Sequence, residues 1–306
     1  MKVIYGINNI GKLKGSVVAM GVFDGVHRGH RRILEAVSAK AHEIGSRSVV
    51  VTFYPHPQRK ESLYSLEHRL RLIAELGIDI CVVANFSSHF SRMSAKGFVK
   101  DILVDKIGAS LVYVGRDFRF GYKIKGDFIL LEKMGKIYDF KARGFSIVKI
   151  RGIPVSSTLI RKLIRNGDIR LAQKFLARPV SILGTVVRGT KIGRLLGFPT
   201  ANINPHHEVI PSEGIYAVRI ILDKKEFKGA CYIGTRPTIS PQHAAGGRRE
   251  KVNVEVHIFS FRKNIYGKYL EIQFIRKIRP DKKFSSLGLL SKQIQKDVIR
   301  ARQILS

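Results

Sequence analysis

Short apolar runs alternate with helix-period stripes through the first half of the chain. Residues 17–21 read as a short buried strand, 48–53 as a β-branched strand, 80–86 and 111–115 as further strands, and another strand ends near Ile150. Between them, residues 28–44 carry Ile33, Leu34, Val37, Ala41 and Ile44 on one stripe at helical spacing. Residues 66–76 and a stretch near 95–106 are also read as helices. Such alternation predicts a parallel sheet covered by helices on both faces. Ser156-Ser157-Thr158 then opens two short helices, parted at Asn166-Gly167-Asp168. Arg178-Pro179 closes this half, because proline resists helix continuation.

From Val180 the rhythm changes. Residues 181–188, 215–222, 227–233, 252–261 and 269–278 are strand-like, with Gly and Pro clustered between them, which predicts an antiparallel barrel. Residues 287–305 end the chain as an amphipathic helix, with Leu290, Ile294, Val298, Ala301 and Leu305 on one face. The fold class expected is thus α/β plus β. A Rossmann-like domain spans 1–179, and a β-barrel domain with a terminal helix spans 180–306.

Composition changes this picture in one respect only. With 306 residues, 44% hydrophobic and 25% charged, the chain can form two packed cores. No apolar run is long enough to cross a membrane, and the start lacks an apolar block followed by a small-residue cleavage site. Two cysteines, Cys81 and Cys231, lie in apolar strand-like runs and fit buried thiols in a reducing cytoplasm. The net charge of +32 is the anomaly, and it is spread over both halves. A compositional bias of the source is the preferred explanation, ahead of attraction for polyanionic substrates such as ATP and of affinity for nucleic acid.

The strongest local signal is Gly21-Val22-Phe23-Asp24-Gly25-Val26-His27-Arg28-Gly29-His30, where the first strand gives way to the first helix. That junction suits a ligand at the carboxyl ends of parallel strands, with helix N–H groups facing a phosphate. His27 and His30 can donate hydrogen bonds to phosphate oxygens as charge builds on them. Tyr54-Pro55-His56-Pro57 forms a stiff loop at a strand end, and Asp117 follows the strand that ends at Gly115. At Ser156-Ser157-Thr158, hydroxyls and helix N–H groups can hold phosphates, and Arg161 one turn on can offer a forked donor.

H-x-G-H after a first strand resembles the nucleotidylyltransferase superfamily, and G-V-F-D-G-V-H-R-G-H resembles its FAD synthetase branch. Val51-Thr52-Phe53-Tyr54-Pro55-His56-Pro57, Val114-Gly115-Arg116-Asp117-Phe118-Arg119-Phe120-Gly121 and Val155-Ser156-Ser157-Thr158-Leu159-Ile160-Arg161 resemble further motifs of that branch. The resemblance implies attack of the FMN phosphate on the α-phosphorus of ATP, giving FAD and pyrophosphate. It implies Gly21, Phe23, Asp24, Gly29, Ser156, Ser157, Thr158 and Arg161 around ATP, and Pro55, His56, Asp117 and Phe118 in the flavin pocket. His27 and His30 would be catalytic. Ile124 stands where the family usually has an arginine.

In the second half, glycines at 184, 189, 193 and 197 make a backbone-rich surface able to wrap a nucleotide. Thr200 and Asn202, two apart, share a face if extended and offer hard oxygen ligands to magnesium carrying ATP. Gly193-Arg194-Leu195-Leu196-Gly197-Phe198-Pro199-Thr200-Ala201-Asn202 resembles the riboflavin kinase signature. Gly214-Ile215-Tyr216-Ala217-Val218, Ile233-Gly234-Thr235-Arg236-Pro237-Thr238, Val254-Glu255-Val256-His257 and Ile278-Arg279-Pro280-Asp281 resemble its other segments. By that match Glu255 is the general base for riboflavin phosphorylation. Thr200 and Asn202 hold the metal, and Gly193, Gly197, Phe198, Pro199 and Arg279 bind ATP or flavin. Tyr232, Ser260 and Asn264 depart from the family pattern, which usually has Asn, Asp and Asp there.

The chain is therefore identified as a member of the bifunctional riboflavin kinase/FAD synthetase family. The resemblance implies ATP, riboflavin and FMN as substrates, FAD and pyrophosphate as products, Mg2+ with ATP, and a cytoplasmic location. Membrane and nucleic acid are not expected partners. Alternatives are an impaired module that leaves FAD synthetase only, another adenylyl- or cytidylyltransferase, and a basic nucleic-acid-binding protein on this scaffold.

Overall fold

The computed structural model describes residues 1–57, 61–189, 192–206, 208–235 and 252–306, with the backbone alone of His89. The chain divides into two compact units, Met1–Ser157 and Thr158–Ser306.

In the first unit, β1 (Lys2–Tyr5), β2 (Ser16–Met20), β3 (Ser48–Tyr54), β4 (Ile80–Asn85), β5 (Ala109–Gly115) and β6 (Lys141–Phe145) make one sheet. Its order is β1-β4-β3-β2-β5-β6, and every pairing is parallel. Val17, Val18, Val49, Val50, Val51 and Val82 are fully buried, so these strands lack the in–out alternation of a half-wet sheet. Helix α1 (Arg28–Glu43) packs on β2 and β3 and buries Ile33, Leu34, Val37 and Ala41. Each of the larger side chains contributes about 1.5–3 kcal/mol by leaving water. Ile44, expected on that stripe, is the C-cap residue and is exposed, because the helix ends before it.

Helix α2 (Leu66–Ala74) is capped by Ser65, whose Oγ accepts the His68 N–H at 3.2 Å. The short α3 (Ser88–Ser91) follows β4. The helix expected near 95–106 begins as α4 (Ala95–Gly97) and continues as a π-helical stretch, Phe98–Val104. Strand β1 and helix α5 (Phe128–Tyr138) are among the elements that escape the periodicity argument. Strand β1 is four residues long, too short to show alternation. Helix α5 opens on the continuous apolar run Phe128-Ile129-Leu130-Leu131, which hides its period, although Leu131 is buried and Ile129 exposed. Strands β7 (Lys149–Ile150) and β8 (Ile153–Pro154) form a small hairpin.

Strand β2 lies between β3 and β5. The chain leaves β2 towards β3 and β4, then resumes on the other side with β5 and β6. The carboxyl ends of β2 and β5 therefore flank a topological switch point, where open parallel sheets bind ligands.

Helix α6 (Ser157–Asn166) starts at the last residue of the first unit, and α7 (Ile169–Leu176) follows. Beyond them come β9 (Val180–Val187), α8 (Ile192–Leu195), β10 (Ala201–Asn204), β11 (Gly214–Leu222), β12 (Lys225–Thr235), β13 (Val252–Ile258), β14 (Tyr269–Arg279) and α9 (Leu287–Leu305). Among the described residues these strands close into an antiparallel barrel, β10-β13-β12-β11-β14-β9, in which β9 pairs back to β10. Alternation assigns the two faces. Ile203, Cys231, Ile233, Val254 and Val256 are buried in the core, while Asn202, Tyr232 and Glu255 point to the other face.

Two helices support the barrel. On α7, Gln173 Nε2 donates to the Phe274 carbonyl at 2.7 Å. Helix α9 packs Ala301 and Leu305 against Ala217 and Phe259, with Val298 beside them. The Arg302 guanidinium lies 4.4 Å from the Phe259 ring centroid, within cation–π range.

Candidate functional site

Between β2 and α1 the backbone makes a tight loop. The Val26 N–H donates to the Phe23 carbonyl at 3.0 Å, and Phe23, Gly25 and Val26 all have positive φ (51°, 82° and 39°). Phe23 and Val26 thus sit where side-chain-bearing residues are strained, a feature that gathers at ligand sites. Gly25 is required twice over, since a Cβ there would also meet Leu63 Cδ1 at 2.5 Å.

His27 is the N-cap of α1, and its Nδ1 accepts the His30 N–H at 3.3 Å. A neutral imidazole that accepts at Nδ1 carries its proton on Nε2, so Nε2 is a donor. The two histidine rings stack at 3.6 Å between centroids, and Phe23 meets His30 edge-on at 5.3 Å. Gly29 leaves room for this stack, because a Cβ there would sit 3.3 Å from the His27 ring. A Cβ on Gly21 would lie 3.1 Å from the Phe23 ring.

The loop is clamped from below by groups whose role the motif alone does not reveal. Asp24 is buried, and its Oδ1 accepts the Leu63 N–H at 2.7 Å. Thr52 Oγ1 donates to the Val22 carbonyl at 3.0 Å. Arg69 is 3% exposed; its Nη1 donates to the Val22 carbonyl at 2.6 Å and its Nη2 to the Phe53 carbonyl at 3.1 Å. Burial pulls the Arg69 guanidinium below its ordinary pKa, and the charge of Asp24 opposes that shift. Sequence reasoning missed Arg69. The available signal was a cation beside Leu70 and Leu72–Ile73, in a helix that buries these residues together with His68.

The remaining positions fall on neighbouring strand ends. Pro55 and His56 follow β3, with Pro55 exposed and His56 half-buried, and the Tyr54–Pro55 peptide is cis. Asp117 and Phe118 follow β5 in a turn closed by the Phe118 N–H on the Gly115 carbonyl at 3.0 Å. Gly115 admits the Asp117 carboxylate, which a Cβ would meet at 2.7 Å. Phe118 stacks on Phe120 at 5.7 Å. Ser157 Oγ donates to the Asp24 carbonyl at 2.8 Å, and Ser156 beside it is half-buried. Thr158, exposed, and Arg161, half-buried, continue α6 into the second unit. Ile124 is 65% exposed.

In the barrel, Asn202, Glu255 and Tyr232 are register partners across β10, β13 and β12. Same-face neighbours of this kind touch across a sheet. Glu255 is 8% exposed and its Oε2 accepts the Thr200 hydroxyl proton at 3.1 Å. A hydroxyl that donates keeps its oxygen lone pairs for a cation. Gly193 lets the glycine-rich turn fold back: the Phe198 N–H reaches its carbonyl at 2.8 Å, and a Cβ there would meet the Phe198 carbonyl oxygen at 2.6 Å. Gly197 has φ 85°. His257 Nδ1 lies 2.8 Å from the Pro199 carbonyl oxygen, which ties this turn to β13.

Arg279 is engaged structurally. Its Nε and Nη2 bond the buried Asp297 of α9 at 2.8–3.1 Å, and its Nη1 bonds the Pro280 carbonyl at 2.9 Å. Of the departures from the family pattern, Ser260 is exposed and Asn264 Oδ1 accepts the Tyr266 N–H at 3.1 Å, a bond an amide makes as well as a carboxylate. Tyr232 Oη donates to Asp281 at 3.2 Å. Arg236, Pro237 and Thr238 lie outside the described residues.

A magnesium ion fits this donor set. Thr200 Oγ1 stands at the Glu255 carboxylate, Asn202 is the register partner of Glu255 on β10, and no cluster of three His, Cys, Asp or Glu is found among the described residues. That chemistry suits a cation arriving on phosphates rather than one held in a protein cage.

Comparison with known proteins agrees with this division of labour. The FAD synthetase family model matches residues 10–159 and the riboflavin kinase family model residues 176–305. Bifunctional riboflavin kinase/FMN adenylyltransferases of Escherichia coli K12 and Haemophilus influenzae are 36% and 35% identical. Each match covers 99% of this chain and 97% or 98% of the relative. That of Buchnera aphidicola from Schizaphis graminum is 38% identical over 97% of both chains. A crystal structure from Streptococcus pneumoniae, described as a macrolide-efflux protein, matches with a TM-score of 0.81 at 27% identity over 97% of both chains. No described helix is long and apolar enough to cross a membrane. The chain belongs to the bifunctional riboflavin kinase/FMN adenylyltransferase family, with an FAD synthetase domain followed by a riboflavin kinase domain.

Proposed function

We propose that ATP is the donor for both reactions and that the residues described above carry them. In the kinase reaction the terminal ribityl hydroxyl of riboflavin attacks the γ-phosphorus of ATP. Glu255 accepts the hydroxyl proton, the bond to the bridging oxygen breaks, and ADP leaves with FMN formed. The Thr200–Glu255 hydrogen bond carries this reading, because it holds the base beside a hydroxyl oxygen fit for a cation, with Asn202 paired to Glu255 across the ladder. Magnesium bound with ATP supplies neutralisation of phosphate charge there. Gly193, Gly197, Phe198 and Pro199 wrap the nucleotide or flavin, and Arg279 anchors the strand end next to them.

In the adenylyltransferase reaction an FMN phosphate oxygen attacks the α-phosphorus of ATP and pyrophosphate leaves. His27, through Nε2–H, and His30 donate to phosphate oxygens as negative charge builds. The α1 N-terminus and the Gly21–Gly29 loop hold ATP, with Ser156 and Ser157 on its phosphates. Thr158 and Arg161 join them on the motif match. Pro55, His56, Asp117 and Phe118 frame the flavin. No covalent enzyme intermediate forms. The two buried cysteines support a reducing, cytoplasmic setting.

A chromatographic time course of the purified chain with riboflavin, ATP and magnesium tests this. FMN is expected first and FAD after it. FAD from supplied FMN but none from riboflavin would mean that the kinase module is impaired. No flavin product under either condition would contradict the whole reading.

A further inference from the structure

Strand β14 stands three strands from β13 in either direction round the closed barrel. On the wall opposite Glu255, therefore, β14, α7 and α9 enclose a cleft of about 440 Å³. Arg170 comes from α7, Arg276 from β14 and Arg300 from α9. Three separate elements bring three guanidinium groups to one depression. No carboxylate lines it, and none of the three arginines forms an ion pair among the described residues. Arg279, three residues along the same strand, is satisfied by Asp297. Like charges gathered without a counter-charge repel, and a bound anion relieves that repulsion.

The rest of the lining narrows the ligand. Gln173 gives its amide N–H to Phe274, which leaves its carbonyl oxygen as an acceptor. Gln303 Oε1 accepts from Arg300 Nη1 at 3.1 Å, which steadies that guanidinium and leaves the Gln303 amide N–H groups as donors. Ile275 and Ile304 add an apolar wall. Arginine forks match phosphate oxygens, the two amides match the polar edge of a base, and the isoleucines match a ring face. The volume lies in the range of about 300–1,000 Å³ used for small-molecule ligands.

We propose that this cleft binds the polyphosphate chain of a nucleotide, apart from the kinase centre. Equilibrium titration of the full chain with ADP tests it, comparing wild type with R276Q/R300Q. The wild type is expected to show a binding event that weakens ~100-fold in the double variant, about tenfold per arginine. The rate of riboflavin phosphorylation at saturating ATP should stay unchanged. R170A reaches the same cleft from α7 and should weaken the same event about tenfold, which separates lost binding from a folding defect in the double variant. Pyrophosphate titrated in parallel distinguishes the source. Binding as tight as ADP assigns recognition to the phosphate chain alone, and weaker binding adds the nucleoside. Identical ADP stoichiometry and affinity in all three proteins would overturn the proposal. So would loss of single-stranded RNA binding in the variants with ADP binding unchanged, which would make the cleft a nucleic-acid surface.

Discussion

The adenylyltransferase region and the kinase region place their chemistry on different kinds of support. In the first unit the proposed groups stand on loops beyond the ends of β2, β3 and β5, and the backbone there adopts strained conformations at Phe23 and Val26. In the second unit the proposed base lies inside β13, paired on both sides to β10 and β12. A loop site depends on buried clamps that hold its backbone in place, such as Arg69 and Asp24. A strand-borne base is held by the ladder itself, so its own functional group decides the outcome. The contrast shows where each half is vulnerable.

The largest effect should come from the strand. Glu255→Gln keeps the Thr200 contact in shape but removes the base, and riboflavin phosphorylation should fall ~10²–10⁴-fold. FMN adenylylation, measured on the same preparation, should be untouched. His27→Ala should lower adenylyl transfer ~10²–10³-fold and leave phosphorylation intact, with a helix-cap loss of about 1 kcal/mol besides.

Sharper discrimination comes from the clamps. Arg69→Met leaves the Val22 and Phe53 carbonyls without their cation, and denaturant unfolding should show a loss of about 3 kcal/mol, with adenylyl transfer falling and the kinase retained. Arg69→Lys should recover part of both. If Arg69→Met lowered the kinase alone, the loop-clamp idea would be wrong. Arg279→Lys trades a forked contact with Asp297 for a point charge, and should cost about 1–2 kcal/mol on unfolding.

The smallest effect concerns the thiols. Burial pushes Cys81 up to about 12 and Cys231 higher still, so both stay protonated at any working pH. Neither should react with a thiol reagent in the native protein near pH 8, while both should react after denaturation. Fast native labelling would show that one of the strands opens.

Much of this was legible in the chain. Strand β3 was expected to end at Phe53 and ends at Tyr54; α9 was expected over 287–305 and occupies it. These elements carry strong periodic or β-branched signals. Strand β1 and helix α5 were missed because one is too short and the other too continuously apolar to show a period. In the candidate sites, the motif residues are local strings and could be read directly. The role of Asp24 could not, because its partner Leu63 is 39 residues away and only the fold brings them together. The engagement of Arg279 could not be read either, because its partner Asp297 is 18 residues on. The basic cleft left no string at all, since its arginines come from three elements that meet only in the folded barrel unit.

The most direct test of two separable chemistries on one chain is a paired assay of Glu255→Gln and His27→Ala by flavin chromatography. Glu255→Gln should convert FMN to FAD at the wild-type rate while making FMN from riboflavin ~10²–10⁴-fold more slowly, and His27→Ala should make FMN at the wild-type rate while forming FAD ~10²–10³-fold more slowly. Loss of both reactions in either folded variant, or a kinase that survives Glu255→Gln, would contradict it.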